Sequence, residues 1–117
     1  MKYYILGKGS NILADDRGYD GVIISTVCLN NKISHDKDII EAGAGLGLEK
    51  VSAYAMEAGL SGFEFACGIP GSIGGAVFMN AGAYGGEMKN IVSEALSVDT
   101  EGNLHAYEKD ALKLGYR

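Results

Sequence analysis

The apolar positions of this chain fall in short runs separated by glycine-rich and acidic turns. Lys2–Leu6 is a β-prone run that stops at Gly7, and Gly7-Lys8-Gly9-Ser10-Asn11 follows as a loop of residues that tolerate positive φ or bond their own backbone. Asp15-Asp16-Arg17-Gly18 predicts a turn. Gly21–Leu29, with Val22, Ile23, Ile24, Thr26 and Val27, predicts a largely buried strand or pair of strands. Asn30-Asn31-Lys32 reads as a turn and Asp38–Ala42 as a brief strand.

Helical spacing first appears at Leu48–Ala58, where Leu48, Val51, Ala55 and Ala58 recur at intervals of three and four. Glu49 suits the positive end of that helix, and Gly59 stands where a left-handed cap belongs. Within the glycine-rich block Gly68–Gly86, Ser72–Met79 predicts a short helix with small residues on one side. Ile91–Asp99 and Asn103–Tyr107 flank Thr100-Glu101-Gly102 as a hairpin, and Glu108–Leu114 reads as a last short helix. Short strands, hairpins and one or two helices give an α+β class. Residues 1–117 read as one domain, without repeats or an interdomain linker.

Composition changes this picture in one respect. Apolar residues at 47% and charged residues at 21% are ordinary, but 18 of 117 residues are glycine with a single proline, about twice the usual frequency. No three-residue period accompanies them, so a collagen-like chain is excluded. A net charge of −5 argues against a nucleic-acid partner, yet leaves room for an anionic small ligand held by backbone N–H groups. Phe65–Gly86 carries no charge, but its glycines, Pro70, Asn80 and Ser72 deprive it of the bulk that a membrane span needs. Cys28 and Cys67 form no CxxC pattern and, with no secretory signal at the start, read as reduced thiols of a cytoplasmic protein; Cys67 is expected to be a buried packing thiol.

The candidate chemistry lies in two glycine clusters, Gly7–Asn11 and Gly68–Gly86. Glycine costs about 0.5–1 kcal/mol in a regular element relative to alanine, so such clusters imply either tight turns or backbone brought close to a flat or phosphorylated ligand. Familiar nucleotide motifs do not fit. Ile12 and Leu48 stand where Gly7-Lys8-Gly9 and Gly43-Ala44-Gly45 would need the third glycine of a dinucleotide fingerprint, and Lys8 lacks the surroundings of a Walker lysine. His35 and His105 are isolated and read as surface residues, so no metal site is expected.

Leu6–Leu13 with Gly18–Ile24, then Gly68-Ile69-Pro70-Gly71-Ser72-Ile73-Gly74-Gly75-Ala76 and Met79–Gly85, resemble the flavin-binding segments of the UDP-N-acetylenolpyruvoylglucosamine reductase family (UDP-N-acetylmuramate dehydrogenases). Tyr116-Arg117 resembles the start of that family's Tyr-Arg-x-Ser segment. The resemblance runs in order from about Leu6 to the last residue, and its middle block is the most specific part. It implies an FAD-binding domain of the PCMH / vanillyl-alcohol-oxidase type, here the second subdomain with mixed strands and few helices. It also implies non-covalent FAD, NADPH as co-substrate and a UDP-sugar enolpyruvyl substrate, in peptidoglycan precursor synthesis.

By the same resemblance Gly7, Lys8, Gly9, Ser10 and Asn11 would wrap the FAD pyrophosphate. Gly68, Ile69, Pro70, Gly71, Ser72, Gly74 and Gly75 would approach the ribityl chain and ring, Asn80, Ala81 and Gly82 would continue that wall, and Tyr116 would join the cofactor set. NADPH would reduce the flavin, which would pass hydride to the enolpyruvyl double bond, and Arg117 would stabilise the developing enolate. Lys8 departs from the family, which more often has glycine there; its charge would face the pyrophosphate or solvent. The serine and glutamate that complete the family's reaction match nothing here, so the chain is expected to be the central part of a longer protein and inactive alone. A different flavin dehydrogenase or oxidase of the same fold is the alternative. Its covalent branch would call for a linking histidine, and neither glycine cluster contains one.

Overall fold

A computed structural model describes residues 1–29 and 31–116. The elements in order are β1 (Tyr3–Leu6), β2 (Val22–Ser25), β3 (Ile33–Asp36), β4 (Ile39–Ala42), α1 (Leu48–Glu57), α2 (Ile73–Met79), β5 (Gly82–Ala83), β6 (Gly86–Glu87), β7 (Glu94–Val98), β8 (Leu104–Glu108) and α3 (Lys109–Leu112). Two 3-10 turns, Glu64–Ala66 and Met88–Asn90, flank α2 and the small hairpin that follows it. The strands pair two by two, β1 with β2 in parallel and the other three pairs antiparallel. The α+β class therefore holds.

Helix α1 forms as its spacing predicts. Leu48, Val51 and Ala55 are its buried residues, and the chain leaves it through a Schellman turn: Gly59 at φ 73° lets Leu60 N–H reach Ala55 O at 2.8 Å and its own N–H reach Met56 O at 3.0 Å. The core is small and lies between α1, α2 and the two 3-10 turns. Leu48, Ala66, Ala76 and Met88 form its centre, with Phe63, Phe65, Ile69, Ile73 and Val77 packed around them.

The segment Gly43–Gly47, which the sequence offers only as a failed fingerprint, joins β4 to this core. Gly43, Gly45, Leu46 and Gly47 are all buried. A Cβ on Gly45 would collide with the backbone carbonyl oxygens of Thr26 and Leu29, so only glycine lets the loop pass beneath the end of β2.

Three expectations need correction. The run Gly21–Leu29 is neither largely buried nor strand throughout: β2 ends at Ser25, and Val22, Ile23 and Ile24 are exposed. A β-branched run records what a strand needs on its two faces, and no second layer among the described residues covers this parallel pair. Cys67 is exposed, as is Cys28, because the chain turns outward after the 3-10 turn that buries Ala66. Strand β3 was not expected. It exists because Lys37, at φ 55°, closes a tight turn onto β4. Of the turn expected at Asn30-Asn31-Lys32, Asn30 lies outside the described residues.

The β7–β8 hairpin ends on an acidic hub. Asp99 accepts from the N–H groups of Glu101 and Asn103, from the Asn103 side chain and from His105 Nε2 at 2.8 Å. These donors, His105 first, hold its carboxyl down at about 2. A depressed carboxyl stabilises the fold above its ordinary range, and that contribution is lost as pH falls through about 2. An NMR titration of the side-chain carboxyl carbons is therefore expected to show Asp99 still ionised at pH 3. A midpoint in the ordinary carboxylate range would mean that the hub does not form.

Candidate flavin site

The fold brings the two glycine clusters together. Ser72, 2% exposed, sits between them. A Cβ on Gly7 would lie 2.5 Å from Ser72 Oγ, and one on Gly71 would lie 3.6 Å from Ser10 Oγ, so the first loop rests directly on the start of the second block. That block is fixed from its other side by Gly43–Gly47. Ile73 N–H donates to Leu46 O at 2.8 Å, Gly74 N–H to Ala44 O at 2.9 Å and Leu48 N–H to Gly71 O at 3.0 Å. Ser72 also caps α2, its Oγ accepting from Gly75 N–H at 3.4 Å, a long bond.

The glycines of the second block divide by what surrounds them. A Cβ on Gly74 would press within 3.0 Å of Ala44 Cβ and 3.2 Å of Ala44 O. Gly74 is thus a packing glycine facing the Gly43–Gly47 loop. Gly75 faces outward, and the nearest atom to an added Cβ is Ser72 Oγ at 3.2 Å. Gly68 is exposed with nothing within 4 Å, and Pro70 beside it is exposed too. Ile69, by contrast, turns its side chain toward the core. Gly9 in the first loop adopts φ 72°, with Lys8, Ser10 and Asn11 exposed around it. Bare backbone at Gly9, Gly68 and Gly75, beside a seam that a side chain on Gly7 would fill, suits a flat, phosphorylated cofactor such as FAD.

Asn80 closes α2 from within the protein. It is 6% exposed and left-handed, at φ 46° and ψ 54°, where it ends α2. Its Nδ2 donates to Glu87 Oε2 and to Gly115 O, both at 3.0 Å, and its Oδ1 accepts from Lys89 N–H at 2.8 Å. The whole amide is spent within the protein. Asn80 holds the wall in shape, while Ala81 packs toward the core and Gly82 starts the hairpin β5–β6. Tyr116 is fully exposed just beyond Gly115, and Arg117 lies outside the described residues. An open depression beside this hairpin is lined by Gly62, Glu64, Phe65, Tyr84, Gly85 and Gly86.

Lys8 does not simply face solvent. Its Nζ contacts Glu49 Oε1 at 2.7 Å and ties the first loop to the first turn of α1. That hydrogen bond, followed by one from the residue's own N–H, holds the Glu49 carboxyl below its ordinary range. Both side chains are partly exposed, at 36% and 57%, so such a pair stabilises by about 0–1 kcal/mol. His35, at 2.8 Å from Tyr54 Oη, and His105, on Asp99, serve local structure. Among the described residues no group of three or more His, Cys, Asp or Glu could hold a metal, and no helix is long and apolar enough to cross a membrane.

Comparison with known proteins agrees with this geometry. The UDP-N-acetylenolpyruvoylglucosamine reductase of Clostridium botulinum is 51% identical over 117 residues, covering 100% of this chain and 38% of that protein. The enzyme of the same name from Clostridium perfringens is 53% identical over the same span and with the same coverage. The crystal structure of UDP-N-acetylenolpyruvylglucosamine reductase from Thermus caldophilus superposes with a TM-score of 0.80 at 37% identity, covering 98% of this chain and 42% of that one. The chain thus spans well under half the length of the relatives it matches. The family described as FAD binding domain matches residues 1–107, nearly the whole chain. This chain belongs to the FAD binding domain family.

Proposed function

We propose that this chain is the FAD-binding portion of an NADPH-dependent reductase that converts UDP-N-acetylglucosamine enolpyruvate to UDP-N-acetylmuramate, in the cytoplasm, for peptidoglycan precursor synthesis. The observation that carries the reading is the seam where Gly7 meets Ser72 and Ser10 meets Gly71, within a chain 51% identical throughout to a reductase of that name. Bound FAD supplies the two-electron step between NADPH and the enolpyruvyl double bond. The residues of this chain bind and orient. Backbone N–H groups of Gly7–Asn11 take the pyrophosphate, the open backbone of Gly68 and Gly75 lies along the ribityl chain and ring, and Gly71 joins them beside Ser10. Gly74, Ile69, Asn80, Ala81 and Gly82 shape that wall from behind. Tyr116 stands at its edge, and Arg117, by its match to the family's Tyr-Arg segment, supplies positive charge to the developing enolate.

The test is an FAD titration of the purified chain followed by amide NMR. Saturable shifts are expected at Gly7–Asn11 and Gly68–Gly75, and their absence up to about 1 mM FAD would overturn the flavin reading. Enolpyruvyl-dependent NADPH oxidation is expected from a longer protein with the length of the Clostridium relatives and not from the 117-residue chain. Proton donation by a positioned group alone contributes about 10²–10⁴-fold, and the family's serine and glutamate match nothing here. Turnover by the 117-residue chain within about tenfold of the longer protein would place the active site elsewhere.

A further inference from the structure

We infer that Lys8 and Glu49 form a counter-ion switch on the flavin cradle: Glu49 holds the Lys8 ammonium, and the diphosphate of FAD competes with Glu49 for it. The inference rests on the flavin reading above and goes beyond it, because Lys8 is the one charged residue of the loop Gly7–Asn11 and already has a carboxylate partner. The ammonium stands in the loop whose neighbours Gly7 and Ser10 lie against Ser72 and Gly71, beside the seam assigned to the pyrophosphate. Its partner, 2.7 Å away, is a carboxylate from an element 41 residues further along the chain.

The exchange is physically accessible in both directions. The pair is partly exposed, so water and salt screen it and the worth of the contact is at most about fivefold in an equilibrium constant. A diphosphate offers the same ammonium more charge and more acceptor oxygens than one carboxylate does. Glu49 is not stranded when Lys8 leaves, since Lys50 and the residue's own N–H continue to favour its charged form. Glu49 therefore acts as a competitor of the ligand, and removing its charge should help binding rather than harm it.

The experiment measures binding of FAD, inorganic pyrophosphate and riboflavin to the chain and to Lys8→Met, Glu49→Gln and the double variant, at low and at physiological salt. Glu49→Gln is expected to tighten FAD and pyrophosphate by about two- to fivefold, and Lys8→Met to weaken both by about tenfold. The double variant should match Lys8→Met, because Glu49 has no effect once the cation is gone. Riboflavin, which lacks the diphosphate, should bind all four proteins alike. Unchanged affinity in Lys8→Met, or weaker binding in Glu49→Gln, would overturn the switch and leave the flavin reading intact. Failure of the wild-type chain to bind FAD at all would overturn both.

Discussion

Replacing Gly75 by valine is expected to weaken FAD binding at least about tenfold while changing the stability of the fold by less than about 1 kcal/mol. Gly75 lies in the first turn of α2 and faces outward, where an added Cβ meets only Ser72 Oγ at 3.2 Å. Valine is a slightly better helix former than glycine, which offsets most of the small displacement the hydroxyl must make. The branched side chain would nonetheless stand on the surface where the cofactor approaches, and a gap of about 0.5–1 Å already forfeits a quarter to a half of a dispersion contact. Gly74→Val is the control with the opposite signature. There the new Cβ faces Ala44, including its backbone oxygen at 3.2 Å, so the fold itself should lose about 1–3 kcal/mol. Urea unfolding and FAD titration on both variants check this, and equal losses of binding and stability in Gly75→Val would reduce that glycine to a packing element like its neighbour.

Asn80→Ala is expected to cost about 4 kcal/mol of folding stability. The variant loses hydrogen bonds to Glu87, Gly115 and Lys89 together, and it asks alanine to adopt φ 46°. Each bond contributes about 1 kcal/mol, and the left-handed conformation costs a non-glycine residue about 1 kcal/mol more. Asn80→Gly should recover that last part, which isolates the backbone cost from the amide's bonds. Asn80→Asp keeps the acceptor for Lys89 N–H but places a carboxylate against Glu87. It should be as damaging as alanine at neutral pH and less so in acid, as one of the two carboxyls takes a proton. Equilibrium unfolding in urea at both pH values decides the matter. A loss below about 1 kcal/mol in Asn80→Ala would show that the three bonds are not made together in solution.

The contrast between Gly74 and Gly75 shows how far the sequence could be read. Adjacent and chemically identical, they differ only in what lies opposite, Ala44 for one and open space for the other. Thirty residues separate Gly74 from Ala44, and no local pattern links them. Asn80 is similar. The family resemblance implies that it continues the flavin wall, and only the fold shows that its amide is used by Glu87, Lys89 and Gly115, the last 35 positions away. The Gly43–Gly47 loop shows only a broken fingerprint in sequence for the same reason, since its role lies with the carbonyls of Thr26 and Leu29 and the backbone of Gly71–Gly74.

Elements decided by short-range physics were legible in the sequence. Helix α1 follows from apolar spacing and ends where Gly59 can turn left-handed. The short helix expected over Ser72–Met79 forms as α2, and Thr100-Glu101-Gly102 turns β7 into β8. The two glycine clusters could likewise be singled out, because glycine is costly wherever it is not needed. What only the tertiary structure decided was burial and partnership: which strand faces stay open, which glycines pack and which remain bare, and that Lys8 meets Glu49 rather than water. Those outcomes depend on groups far apart in the chain being carried to one place, and a periodicity of two or four residues holds no record of them.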